Sequence, residues 1–314
     1  MAGYRNRLPQ LSGDLYLTDA GLETDLIFNH GIEIREFAAH TLLLNSEGRG
    51  AIDAYLADFL ALANRYNTGF ILDTPTWKAH MHWAADLGST ENELCEINID
   101  AVRFVEKVRD RFPRNQKPIV LNGVIGPKGD AYAPEERLTP VEAQDYHSTQ
   151  IGWLANTNVD MLTGMTITQS DEAIGLVRAA QKVGLPVVVS FTVETDGRLP
   201  TGQSLASAIR AVDAATASGA VYYMVNCAHP DHFFNQFDGD DWTHRIRGIR
   251  CNASRLSHEQ LDACETLDDG DPLEFAMQYK SLIAQMPWLN IFGGCCGSDL
   301  RHVEQVIAAV SEIR

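Results

Sequence analysis

Eight short apolar runs, spaced along the chain and separated by amphipathic stretches, constrain this sequence more than any other feature. They lie at residues 15–18, 70–73, 119–124, 161–167, 187–193, 221–226, 246–251 and 289–292. Most are β-branched or aromatic and almost continuously apolar, the pattern of parallel strands covered on both faces. The stretches between them read as helices. Leu94, Ile97, Ala101, Val105 and Val108 share one helical face, and so do Leu300, Val303, Ile307 and Val310. Thr90 with Glu93, Thr139-Pro140 with Glu142, and Asp271-Pro272 with Glu274 each set a helix start with a capping-box acid. Eight such alternations in 314 residues, with no low-complexity linker, predict an α/β fold. The expected architecture is a (β/α)8 TIM barrel, one domain over residues 1–314. Barrels of this kind take roughly 250 residues, and an open doubly wound sheet is the competing arrangement. Two segments stand outside the pattern. Residues 231–243 are aromatic and acidic and predict an irregular excursion, and residues 251–271 predict an insertion at the barrel mouth.

Composition narrows the function classes. A net charge of -17 argues against binding a phosphate backbone, which needs clustered Lys and Arg. No apolar stretch approaches the roughly 18 residues of a membrane span. Arg5 and Arg7 are followed by no apolar run, so no signal peptide is expected. These readings predict a cytoplasmic protein with neither a nucleic-acid nor a membrane partner. The glycines at 123, 126 and 129 lack the spacing and the following Lys of a phosphate loop.

The six cysteines are too sparse for a secreted disulfide framework, which leaves free thiols, nucleophiles or metal ligands. In a barrel, active sites lie at the C-terminal ends of the strands. The sixth run ends in Val225-Asn226-Cys227 and the eighth in Gly293-Gly294-Cys295-Cys296-Gly297. Those ends share one rim, so Cys227, Cys295 and Cys296 can converge. Neighbouring strand residues point to opposite faces, so Cys295 and Cys296 can face one ion only where the backbone turns sharply. The flanking glycines predict such a turn. Three thiolates select a soft or borderline metal and leave one tetrahedral position of Zn2+ open, the catalytic rather than the structural pattern. An open position suits a thiol substrate, because a free thiol with a pKa of about 8.5 is mostly protonated at neutral pH. Cys95, Cys251 and Cys264 lack such a setting and are expected to be core or surface residues, as are His80, His82 and Asp231-His232.

These motifs resemble those of the homocysteine S-methyltransferase family across nearly the whole chain. The likeness is carried by Ile291-Phe292-Gly293-Gly294-Cys295-Cys296-Gly297 and by Val225-Asn226-Cys227 with Pro230. Thr18-Asp19-Ala20-Gly21-Leu22-Glu23-Thr24, Gly123-Val124-Ile125-Gly126-Pro127 and Ser190-Phe191-Thr192 with Asp196-Gly197-Arg198-Leu199 add to it. The resemblance implies that Cys227, Cys295 and Cys296 are zinc ligands. It implies that Asp19 lies near the amino-acid part of the substrate, where a carboxylate would hold an ammonium group. Asn226, beside the first cysteine, joins the expected substrate contacts. The chain departs from the family in three places. Met165 stands where a substrate-gripping glutamate is usual, Ala20 replaces a glycine, and Arg250-Cys251-Asn252 replaces a tyrosine-proline-asparagine run.

The expected activity is zinc-dependent transfer of a methyl group from a small onium donor, such as S-methylmethionine, to homocysteine, giving methionine. Onium groups favour aromatic faces. Trp77 and Tyr132 follow the second and third strands and could reach the mouth, whereas Phe233, Phe234 and Phe237 read as core or lid. Two alternatives stay open at this point: the same chemistry on another thiol or a selenol, and a non-catalytic barrel that binds zinc or thiols.

Overall fold

A two-residue strand closes the sheet. β1 (Tyr16–Leu17) pairs in parallel with β2 (Gly69–Asp73) on one side and with β8 (Ile291–Gly294) on the other. Between them run β3 (Ile119–Ile125), β4 (Met161–Ile167), β5 (Val187–Phe191), β6 (Tyr223–Asn226) and β7 (Ile246–Cys251). Each pairs with its sequence neighbour, so the order around the closed barrel is β1 to β8 without a crossover. This computed structural model describes residues 3–112, 117–132 and 137–313. The (β/α)8 barrel read from the sequence is the fold.

Side chains alternate along each strand between the barrel interior and the surrounding helices. Inward positions near the strand starts are apolar: Tyr16, Ile71, Val120, Met161, Val188 and Ile291 form one buried cluster. The segment before β1 closes the floor beneath it. Leu8 packs into this cluster, and the buried Gln10 amide donates to the Tyr222 hydroxyl at 3.3 Å. Two residues further along, the inward positions turn polar. Asp73, Asn122, Thr163, Ser190, Asn226 and Arg250 fall in this upper layer. Asn122 Nδ2 donates to Asp73 at 2.7 Å, and the Thr163 hydroxyl to Asn122 Oδ1 at 3.0 Å. The apolar layer holds the barrel shut, and the polar layer forms the base of the site.

The outer helices follow the predicted starts. Thr90 and Glu93 close a capping box on Glu91–Asp110, and Thr139 and Glu142 do so on Pro140–Ala155. At Pro272–Gln285 the box does not close. Asp271 accepts from the backbone N–H of Leu273 and Glu274, but the Glu274 carboxylate turns away to Arg255 at 2.6 Å. The two irregular segments also appear where expected. After β6 the chain makes only the short turns Pro230–Phe233, Phe234–Gln236 and Asp241–Arg245, with Phe233 and Phe237 buried in the core. After β7 it makes His258–Asp262 and a loop whose Leu261, Cys264 and Leu267 reach the barrel mouth. Among the described residues no helix is long and apolar enough to cross a membrane.

Candidate metal centre and substrate cavity

Cys227 follows directly on β6, and Cys295 and Cys296 follow β8. Their sulfurs meet. Cys227 Sγ lies 2.6 Å from Cys295 Sγ and 3.6 Å from Cys296 Sγ, and the three ligand atoms fall within 4.8 Å of one another. Among the described residues this is the one group of His, Cys, Asp or Glu side chains placed to hold a metal ion. Three soft sulfurs at this spacing fit a thiophilic ion such as zinc.

The backbone places these sulfurs, though not quite as the glycines alone predict. Gly297 does take a left-handed conformation, with φ +79°. Gly293 and Gly294 serve close packing instead: a Cβ at the first would run into the Thr18 hydroxyl, and at the second into Ser298 Oγ. The other left-handed residue is Cys227 itself, at φ +55°. A non-glycine residue there is strained and must be held by its surroundings. Its N–H donates to the Arg250 carbonyl (3.1 Å), and its carbonyl accepts from His258 Nε2 (2.7 Å) and the Thr192 hydroxyl (3.2 Å). Burial pulls the His258 pKa down, but Glu194 at 3.1 Å and the Cys227 carbonyl outweigh it, so His258 titrates above its ordinary range.

Tyr132 joins the cluster from the loop after β3. Its hydroxyl lies 3.2 Å from Cys227 Sγ and 3.3 Å from Cys296 Sγ. Burial and the adjacent sulfurs hold this hydroxyl well above its usual pKa, so it stays a donor. One face of its ring stacks on His258 at 4.2 Å. The sequence pointed to the ring; the hydroxyl makes the contact. The thiols share their protons unevenly. Hydrogen bonds from Cys227 and Cys296, with Arg250 nearby, hold the Cys295 thiol well below its usual range, and the same pairing drives Cys227 well above it.

A cavity of about 400 Å³ opens over the sulfurs. Asp19, Trp77 and Met165 all line it, as the sequence reading expected of substrate contacts. Trp77 Nε1 donates to the Met165 carbonyl at 3.0 Å, which fixes the indole on the wall. Asn226 is fully buried and does not line the cavity. It accepts from the Thr166 N–H (3.0 Å) and Ser190 Oγ (2.6 Å), donates to Thr166 Oγ1 (2.8 Å), and reaches Cys295 Sγ at 3.9 Å. Thr166 sits at φ +62°, so Asn226 clamps a strained residue behind the sulfurs.

Asp19 has a partner that the sequence did not reveal. Arg250 reaches across the barrel from β7, ion-pairs with both Asp19 and Asp73, and donates through Nε to the Gly294 carbonyl at 3.1 Å. Burial pushes the Asp19 carboxyl upward while Arg250 pulls it back. The available signal was a charged residue near the end of each of two strands, Asp73 on β2 and Arg250 on β7. The remaining cysteines stand apart from the cluster. Cys251 is buried in the core, Cys95 is partly buried on its helix, and Cys264 is exposed at the cavity rim.

A parallel barrel that gathers three thiols at the C-terminal ends of its strands, beneath a cavity of small-molecule size, has the form of an enzyme built around sulfur ligation. The family model described as homocysteine S-methyltransferase matches residues 16–310, and the chain belongs to that family of methyltransferases. Methionine synthase from Mycobacterium tuberculosis is 29% identical over 146 residues, a match covering 45% of this chain and 12% of that protein. The homocysteine methyltransferase MmuM from Escherichia coli has the same fold. Its metallated form gives a TM-score of 0.74 at 17% identity, covering 96% of this chain and 99% of that one. Its oxidized form gives 0.73 at 18% identity, covering 99% and 100%.

Proposed function

We propose that this chain moves a methyl group from a small onium donor to the thiol of homocysteine, giving methionine, with zinc held by Cys227, Cys295 and Cys296. The observation that carries the reading is the meeting of three sulfurs from two distant strand ends, facing a cavity. Bound zinc would supply the Lewis acidity that makes an acceptor thiol a thiolate at neutral pH.

The protein's own groups divide the remaining work. The Tyr132 hydroxyl donates to the sulfurs and restrains their charge. The Asn226 amide reaches the Cys295 sulfur, and His258 fixes the backbone of Cys227. Leu22, Val124 and Met165 give the cavity apolar walls that keep water from the nucleophile, and the face of Trp77 suits an onium group. The metallated form of the Escherichia coli homologue, and the family's name, support a metal and this acceptor. A second reading keeps the chemistry and changes the acceptor to another thiol or a selenol. Met165, which cannot pair with an ammonium group, favours it.

The test is turnover by zinc-loaded protein with homocysteine and either S-methylmethionine or betaine, read as methionine formed. Methionine production that stops on chelation and returns with zinc is expected. Zinc binding without methylation of any thiol or selenol, across several onium donors, would make the chain a non-catalytic binding barrel instead.

A further inference from the structure

The loop after β1 carries a carboxylate with no assigned task. Glu23 is partly buried and lines the cavity, yet among the described residues it makes no hydrogen bond or ion pair with another side chain. Its neighbours pin it beside the cysteine turn. A Cβ on Gly21 would strike the Cys295 carbonyl, and the Thr24 hydroxyl accepts from the Gly297 N–H at 3.1 Å. The other acidic groups of the cavity are engaged or peripheral. Asp19 and Asp73 share Arg250, Asp268 takes the Ser254 hydroxyl at 2.5 Å, Asp130 takes the Tyr132 N–H at 2.8 Å, and Glu36 and Asp262 are exposed at the rim. Lys78, the nearby cation, does not pair with Glu23. Its ammonium donates to the Glu36 carbonyl at 2.8 Å and lies 3.8 Å from the centre of the Trp83 ring. Burial pushes the Glu23 carboxyl up to about 7, outweighing its own backbone N–H and the more remote charges of Lys78 and Arg250.

We propose that Glu23 holds the α-ammonium group of the acceptor amino acid, the task the sequence had assigned to Asp19. This rests on the acceptor binding through its sulfur at the three-cysteine cluster. The reaction chemistry favours the acceptor's ammonium over the donor's onium group. In the transfer, an acceptor sulfur lone pair forms the new S–CH3 bond, and the electrons of the breaking bond leave with the donor heteroatom. The donor's positive charge therefore vanishes along the path. A carboxylate against it would stabilise the ground state more than the transition state and slow the step. The acceptor's ammonium keeps its charge throughout, so a carboxylate there selects the substrate without opposing the chemistry. Glu23 then discriminates thiol amino acids from thiols that lack the amine.

The experiment compares L-homocysteine with 4-mercaptobutanoate, which lacks the amine, by calorimetric titration of the zinc-loaded protein. Wild type should prefer homocysteine. Glu23→Gln should weaken homocysteine about 10- to 100-fold, the range for losing a charged hydrogen bond. It should leave 4-mercaptobutanoate unchanged, so the preference collapses. Survival of the wild-type preference in Glu23→Gln, or its loss in Asp19→Asn alone, would overturn the assignment. The absorption of the cobalt-substituted protein separates this from a failure of the underlying reading. If neither thiol alters the thiolate-to-cobalt bands of wild type, the acceptor does not bind through sulfur, and both proposals fall together. If homocysteine alters them and Glu23→Gln binds it as wild type does, only the role of Glu23 falls.

Discussion

On the β6 and β8 side of the barrel mouth, three sulfurs are set in place by backbone. Cys227 and Cys295 follow directly on strands, Cys296 comes next, and the turns that aim them are fixed by left-handed residues, a close-packed glycine pair and hydrogen bonds to peptide groups. Charge, by contrast, is set in place by side chains that converge from β2, β7 and the loop after β1. Arg250 bridges Asp19 and Asp73, and Glu23 is left facing the cavity. The first arrangement tolerates little change, because moving one sulfur requires moving a strand end. The second can be rewired one residue at a time. Under the proposed function, the reactive atoms and the recognition of the substrate's polar end are held by different means.

Three perturbations probe that division, beginning with the largest. Arg250→Met leaves two buried carboxylates without their cation, and breaking a buried pair costs about 3–5 kcal/mol. Urea denaturation should show that loss, and it should grow with pH. With Arg250 gone, burial and the neighbouring Asp73 and Glu23 carboxylates act on Asp19 unopposed, so its folded pKa rises further above the unfolded value. The folded state then binds protons more tightly, and stability falls as pH rises through that window. A variant equally stable at pH 5 and pH 8 would mean that Arg250 does not balance those charges.

On the sulfur side, Asn226→Ala removes the clamp on strained Thr166 and should cost about 2 kcal/mol. Adding Thr166→Gly should return about 1 kcal/mol, since glycine takes φ +62° without strain. A double variant no more stable than Asn226→Ala would show that the strain is not what Asn226 restrains.

The same division explains what the sequence made legible. The eight strands were readable because burial on both faces leaves a nearly unbroken apolar run. The inward polar layer interrupts that run at isolated positions such as Asn122 and Thr163. Cys227, Cys295 and Cys296 were readable because their placement at strand ends is local, and Gly297 reported a turn without any knowledge of the barrel's register. Asp19 was found as a motif residue, but its pairing with Arg250 was not. That pairing depends on how the loop after β1 meets the inward positions of β7 in the closed barrel. Glu23 was visible only as one letter of the opening motif, and its freedom emerges when the other carboxylates are matched to partners. The capping box predicted at Asp271 failed for a similar reason, because Arg255 on a distant loop draws Glu274 away.

Everything proposed about the chemistry depends on residues 227, 295 and 296 sharing one ion. Metal content of the purified protein, by plasma mass spectrometry against a Cys296→Ser variant, tests this most directly. Near-stoichiometric zinc in wild type and its loss in the variant, with unchanged secondary structure by circular dichroism, is the predicted result. Full zinc retention in Cys296→Ser would contradict a shared three-sulfur site.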